Sequence, residues 1–363
     1  MQIAYLIYAY SHPELMARMI DALNRPDVSF FIHIDKKVDI EPFLRCVKTA
    51  DNIVFLKNRI KVFWMGYTQV EAVLLLMKEA TEQGGKIKEP YKYYVLLSSQ
   101  DYPIKSNNYI FDFFERYNDL EYLQFMRLSD TVSWDDSWMH KIEKYHFLDS
   151  YLTNARSQFR YRGIYFTARK WVNGIMPRRK YLENITPYGG CDFWMLTHQA
   201  VNYILSYIGH NKSFVRFYKY TESPIEMIFH TILLNSPLAT RMRNYSQNEE
   251  VFDIWRRMHR GESHNPSEDK KEFIRRFMAV NLRYIDWWNP AQGFPAVLNE
   301  KDFDALNDSE CLFARKMHPE KSGKLLDLID GTLLKRQEKD LPKEPEVSGI
   351  RRSSVLKTER SCL

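Results

Sequence analysis

Tyr94-Val95-Leu96-Leu97-Ser98-Ser99-Gln100-Asp101-Tyr102-Pro103-Ile104-Lys105-Ser106 is the stretch whose reading decides the fold. The unbroken apolar run Tyr94–Leu97 reads as a strand buried on both faces, which is the habit of parallel sheets. It ends in a polar, proline-marked turn, and Ile110, Phe111, Phe113 and Phe114 follow at helical spacing. Ligands of open α/β sheets bind beyond the carboxyl ends of strands, so Asp101 stands where a binding carboxylate is expected. Capping of the following helix is the competing role for Asp101.

Working back from this stretch, the same rhythm recurs. Strand Ile3–Ala9 leads to a helix from near Pro13 that carries Leu15, Met16, Met19, Ile20 and Leu23. Strand Ser29–Ile34 ends in Asp35-Lys36-Lys37, a short strand lies near Ile53–Leu56, and helix Gln69–Glu79 leads into strand Tyr93–Ser98. Strands alternating with helices predict an α/β fold with a mostly parallel central sheet flanked by helices. Working forward, Tyr188–Leu196 reads as a Gly-Gly turn into a strand, helix His198–Ile208 follows, and another helix begins at Ser223-Pro224-Ile225-Glu226. The polar run Arg260–Lys271, with Gly261 and Pro266, reads as a surface loop.

The 363 residues suffice for a large core, and 45% hydrophobic with 27% charged residues is an ordinary globular balance. Cys46, Cys191, Cys311 and Cys362 show neither a CxxC pair nor metal-ligand spacing, which argues against a disulfide scaffold or a structural zinc site. The chain opens directly on a strand with no leader-like or membrane-length apolar segment, so a cytoplasmic location is expected. The net charge of +6 is locally concentrated. Arg156, Arg160, Arg162, Arg169, Lys170, Arg178, Arg179 and Lys180 lie between Arg156 and Leu182 without an acid, interleaved with Phe159, Tyr161, Tyr165, Phe166 and Trp171. Residues 156–180 could meet anionic headgroups at the inner face of a membrane, or form a plain solvated basic face. No nucleic-acid motif accompanies them, so a nucleic-acid partner is not expected.

Several separated segments together resemble one family, the core-2/I-branching β-1,6-N-acetylglucosaminyltransferases and peptide O-xylosyltransferases. They are Phe31-Ile32-His33-Ile34-Asp35-Lys36-Lys37, Ser98–Lys105, Gly189-Gly190-Cys191-Asp192-Phe193-Trp194, Ser223-Pro224-Ile225-Glu226, Asn281-Leu282-Arg283 and Phe313-Ala314-Arg315-Lys316. Phe229–Pro237 and Asn281–Trp287 look closer to the xylosyltransferase branch, whereas residues 126–187 follow neither. The resemblance implies a single GT-A-like domain over residues 1–335, with 336–363 a disordered tail. It also implies inverting transfer of N-acetylglucosamine or xylose from a UDP-sugar to an acceptor hydroxyl, plausibly a glycan or lipid-linked glycan of a bacterial surface polysaccharide. A non-catalytic UDP-sugar or glycan-binding module of the same fold is the alternative.

The resemblance also assigns residues. Glu226, in the Ser-Pro-x-Glu motif, is the first choice for the catalytic base, although Ser223, Pro224 and Glu226 also spell a capping box. Asp192 is the second carboxylate, either holding the acceptor or acting as base, with Trp194 as an acceptor-stacking ring. Tyr10, Asp35 and Trp64 would surround the uridine, and Asp101 the donor sugar. No cofactor or metal is expected: Arg283 and Lys316 would neutralise the diphosphate in place of a divalent ion. The Asp302-Phe303-Asp304 triplet reads as coincidence, and His33 as a core histidine rather than a catalytic one.

Overall fold

A computed structural model describes residues 1–86, 90–117, 119–129, 138–151, 171, 175–243, 245, 248–287, 289 and 295–336. Its central sheet holds five strands: β1 (Gln2–Ala9), β2 (Val28–Ile34), β3 (Ile53–Phe55) and β4 (Tyr91–Ser98), with β8 (Met195–Thr197) at the edge. The order is β3-β2-β1-β4-β8, all parallel except β8, which runs antiparallel to β4. The chain builds outward from β1 to β3 and then crosses to place β4 on the other side of β1. The crevice beyond the ends of β1 and β4 is therefore the topological switch point.

Alternation along the strands explains why both faces are apolar. Tyr5, Ile7, Phe30, Ile32, Tyr93, Val95 and Leu97 belong to one core with Leu15, Met16, Met19, Ile20 and Leu23 of helix Pro13–Leu23. Ala4, Leu6, Phe31, Tyr94 and Leu96 belong to the other, with helices Thr68–Gly84, His198–His210 and Ile228–Leu234. A strand covered on both faces has no polar side to show, which is why Val95-Leu96-Leu97 lacks alternation.

Three further short strands position the site: β5 (Tyr102–Pro103), β9 (Arg283–Ile285) and β10 (Phe313–Arg315), in the order β5-β10-β9. This small sheet is tethered to the end of β4, since Met317 N donates to Gln100 O at 2.9 Å and Ile104 N to Leu312 O at 2.9 Å. Strands β6 (Met126–Arg127) and β7 (Tyr188–Gly189) pair with each other just ahead of the Gly-Gly turn.

Two expectations require correction. Arg260–Lys271 is not one loop: helices Asn248–Arg260 and Pro266–Ala279 leave only 261–265 between them. Pro266 occupies the first helical turn, where its missing N–H costs nothing, and Asn265 caps the helix by accepting from Glu268 N. Ser223 does not open a capped α-helix either. It lies in the left-handed region (φ 49°) without a side-chain cap, Pro224–Glu226 form a single 3₁₀ turn, and the α-helix begins at Ile228. Most of the basic segment, like the tail beyond Arg336, lies outside the described residues. Among those described, no helix is long and apolar enough to cross a membrane.

Candidate active site

The antiparallel pairing of β8 with β4 carries the Gly-Gly turn to the end of β4. Leu96 N donates to Trp194 O at 3.0 Å, one step beyond the Val95–Met195 pair, and Asp192, two residues further back, reaches the Tyr8 hydroxyl on β1. The turn is held from the other side as well, because Gly190 N donates to Glu226 O at 2.8 Å. Position 190 has to be glycine: a Cβ there would lie 2.0 Å from Gln124 O. The two proposed carboxylates are thus brought together by backbone hydrogen bonding between segments 36 residues apart (226 − 190).

Asp192 accepts from Tyr8 Oη on β1 at 3.1 Å through Oδ2 and from the Cys191 thiol at 3.8 Å through Oδ1. Burial raises its pKa, and the neighbouring Glu226 and Asp101 charges add to the rise, while Arg315 and the Tyr8 hydrogen bond oppose it. Glu226 is half-exposed and paired with Lys141, Nζ to Oε2 at 2.8 Å. Lys141 in turn lies 3.7 Å over the Trp138 ring. One carboxyl is therefore pushed toward its neutral form and the other sits in a formal ion pair. Such divergent environments are how acid and base roles are divided.

Asp101 is fully buried and neither caps the next helix nor faces the cleft. Its Oδ2 takes Ser98 N at 2.7 Å and Ser98 Oγ at 2.6 Å, while Oδ1 takes Arg283 Nη1. The helix Asn107–Arg116 is instead capped by Ser106, whose side chain accepts from Tyr109 N. Arg283 is equally buried, and its Nη2 is engaged with Leu96 O at 2.9 Å. Asp101 and Arg283 thus lock the small sheet to β4 from buried positions, and Arg283 Nε is buried there without a hydrogen-bond partner. Trp194 is buried in the same way. It is fully buried, edge-on to Phe229 at 6.0 Å, with no face open to an acceptor.

Arg315 ends β10, and Lys316 follows it ahead of Met317, whose N–H ties the segment to Gln100 O. Lys316 is half-buried near His12, whose pKa is lowered by burial, by His318 and by Lys316 itself. The Arg315 guanidinium lies 4.0 Å over Phe193, and its buried Nε and Nη1 have no hydrogen-bond partner in the protein. Sequence reasoning passed over Arg315 in favour of Arg283. Arg283 opens β9 and is buried, whereas Arg315 closes β10 and is partly exposed, a difference that only the fold shows.

At the far side of the crevice, Tyr10 is exposed just past β1 and Trp64 is exposed in the loop before helix Thr68–Gly84. Asp35 ends β2, and its Oδ1 accepts from Lys37 N at 2.9 Å and Val62 N at 3.2 Å. Asp35 therefore joins the two loops that carry Lys37 and Trp64. His33 is a core residue: its Nε2 accepts from Ile60 N at 3.1 Å, and burial lowers its pKa to about 4. Asp302 is a cap, accepting from Asn299 N at 2.8 Å. Among the described residues, no group of three His, Cys, Asp or Glu side chains is arranged to hold a metal ion. Arg179 is not available to a membrane, since its guanidinium is buried and donates to Tyr220 O at 2.8 Å, to Thr221 Oγ1 at 3.2 Å and to Phe217 O.

Known proteins place this arrangement in context. Xylosyltransferase 1 of Rattus norvegicus is 26% identical over 230 residues, covering 62% of this chain and 25% of that protein. Xylosyltransferase 2 of Rattus norvegicus is 24% identical over 240 residues, covering 65% and 25%. The chain thus spans about a quarter of the length of the curated relatives it matches. The solved apo structure of mouse xyloside xylosyltransferase 1 aligns over 64% of this chain and 81% of that one, at 11% identity and a TM-score of 0.29. The model of the Core-2/I-Branching enzyme family matches residues 3–307, from β1 through β9 and including Asp192, Glu226 and Arg283. The chain belongs to the Core-2/I-branching enzyme family.

Proposed function

We propose that this protein is an inverting glycosyltransferase that moves a sugar from a UDP-sugar to an acceptor hydroxyl, forming a β linkage without a divalent metal. Xylose is the first choice of sugar, since the curated relatives above are named xylosyltransferases. N-acetylglucosamine is the second. The observation that carries the reading is the juxtaposition of Asp192 and Glu226 at the β1–β4 switch point, one carboxyl raised in pKa and the other ion-paired.

Inversion is a single in-line displacement at the anomeric carbon. The acceptor oxygen forms its bond to that carbon as the bond to the UDP oxygen breaks, and the departing electron pair goes to the diphosphate. Asp192 takes the hydroxyl proton, because a base whose pKa has risen toward the working pH transfers protons best. Tyr8 fixes its carboxyl by donating to Oδ2. Glu226, held by Lys141, orients the sugar or the acceptor hydroxyl and stabilises oxocarbenium character electrostatically. Lys316 meets the developing diphosphate charge. Tyr10, Asp35 and Trp64 line the uridine end.

The acceptor in this reading is a glycan or lipid-linked glycan of a bacterial surface polysaccharide, reached by a cytoplasmic protein that touches the inner face of the membrane. Exposed Trp171, Ile175, Arg178 and Lys180 supply its aromatic and basic contacts. The test is UDP release from a panel of UDP-sugars with and without EDTA. EDTA-resistant release from one sugar is the expected result, EDTA-sensitive release refutes metal independence, and absence of UDP binding refutes the reading as a whole.

A further inference from the structure

We propose that Tyr145, Phe147 and Tyr220 form a stacking platform for the acceptor, and that the acceptor it fits is an acidic saccharide chain. The inference rests on the glycosyltransferase reading above and deepens it, giving the acceptor a binding surface beside Glu226 and a chemical class.

The three rings come from two segments that are knitted together. From Tyr145 to Asp149 burial alternates as in a strand, with His146 and Leu148 inward and Phe147 outward. His146 N donates to Tyr220 O at 3.0 Å and Glu222 N to Lys141 O at 3.1 Å, while His146 Nδ1 lies 3.3 Å from Glu222 Oε2. Between ring centres, Phe147 is 5.4 Å from Tyr220 and 6.3 Å from Tyr145, and Tyr145 is 6.0 Å from Tyr220. Arg179 braces the cluster from the buried side. Its guanidinium lies 5.1 Å from the Tyr145 ring centre and donates to Lys144 O at 3.3 Å and Tyr220 O at 2.8 Å. A buried cation held on carbonyl oxygens is costly, and here it fixes both ring-bearing segments at once.

The rings are nonetheless left open: Phe147 is 44% and Tyr220 38% exposed. A fixed aromatic patch open to water marks a ligand surface rather than a core. It adjoins the candidate carboxylate, since Lys141, on the same segment as Tyr145, holds Glu226, and Tyr220 leads into the turn that carries Glu226. Sugar rings suit it, because one face of a pyranose is an array of C–H groups that the negative face of an aromatic ring attracts. The charge beside the rings selects an acidic sugar. Exposed Lys144 and Lys219 immediately precede Tyr145 and Tyr220. The neighbouring acids are already engaged: Glu143 lies 3.7 Å from Arg178, Glu222 faces His146 and His140, and Asp149 accepts from Tyr67 N and Thr68 N. A chain bearing uronate carboxylates meets both the rings and the lysines.

The test is calorimetric titration, in the presence of UDP, with tetragalacturonate as the acidic probe and maltotetraose as its neutral counterpart. Wild type is expected to bind tetragalacturonate, and maltotetraose about 10-fold more weakly. Phe147→Ala and Tyr220→Ala should each weaken tetragalacturonate binding about 3- to 10-fold, with UDP affinity as in wild type. Phe147→Tyr, which keeps a ring, should bind as wild type does. Lys144→Ala combined with Lys219→Ala should remove the preference for the acidic probe. No binding of tetragalacturonate, equal binding of the two probes, or alanine variants that bind like wild type overturn the proposal. So does a Phe147→Ala variant that loses binding to phosphatidylglycerol vesicles but keeps tetragalacturonate, which would assign the rings to a membrane. If wild type binds tetragalacturonate but no UDP or UDP-sugar, the saccharide surface stands and the glycosyltransferase reading falls.

Discussion

Asp101 and Arg283 form an ion pair with no exposed atom at the junction where the small β5-β10-β9 sheet meets the end of β4. Opposite charges taken out of water stabilise only as a pair, and removing one leaves the other stranded. Asp101→Ala or Arg283→Ala should each cost about 3–5 kcal/mol in urea unfolding. The double replacement Asp101→Asn with Arg283→Met should cost far less than the sum of the two. Additive losses, or a single variant of wild-type stability that only weakens UDP binding, would restore Arg283 to a donor-binding role.

Trp194 separates packing from recognition in the same way. It is buried against Phe229, so Trp194→Phe should lower stability by about 1 kcal/mol through the space it leaves. Acceptor KM should stay within about twofold, the range of ordinary packing noise. A rise in acceptor KM at unchanged stability would contradict the buried placement.

Two core histidines predict the acid limb of stability. Burial lowers the pKa of His33 to about 4 and of His230 to about 3. In the unfolded chain both protonate near pH 6.5, so the unfolded state binds more protons and stability falls as pH drops below that value. Each should remove up to about 1.4 kcal/mol per pH unit, the His33 contribution levelling off at about pH 4. His33→Gln keeps an acceptor for Ile60 N and should flatten the slope measured by urea unfolding at pH 7 and pH 5. An unchanged slope would show that His33 is not held neutral.

The basic limb belongs to Lys105, which is buried with its ammonium on Ser309 O at 2.6 Å and its pKa lowered by burial to about 8. The unfolded lysine holds its proton to about pH 10.5. Between pH 8 and 10 the unfolded lysine binds more protons than the folded one, so the contribution of Lys105 to stability rises with pH, against the falling contributions of the buried thiols Cys191 and Cys311, whose pKa values burial raises. Lys105→Met should remove that rise. A wild-type melting temperature that stays flat or falls across this interval, with no difference from Lys105→Met, would contradict it.

What the sequence made legible was whatever local periodicity encodes. The runs at Ile3–Ala9, Ser29–Ile34 and Tyr93–Ser98 and the stripe from Leu15 to Leu23 are the observed strands and helix to within two residues. Strand order was not legible, because β4 lies beside β1 through contacts between residues about 90 apart. The candidate carboxylates could be named from their motifs, but their meeting depends on Gly190 N reaching Glu226 O, a long-range bond with no local signature. The burial of Asp101, Arg283 and Trp194 was hidden for the same reason: a charge or a ring in a short motif looks identical facing a cleft or a core. Pro266 misled in the opposite sense, since proline both breaks and begins helices.

The most direct measurement is the initial rate of UDP release from the preferred UDP-sugar with acceptor, compared between wild type, Asp192→Asn and Glu226→Gln, alongside UDP affinity for each. With Asp192 as the proton acceptor, Asp192→Asn should lose about 10²- to 10⁴-fold in rate while UDP affinity is retained. Glu226→Gln should lose less. If Asp192→Asn keeps a rate close to wild type while Glu226→Gln is inactive, the base is Glu226 and the division of roles between the two carboxylates is wrong.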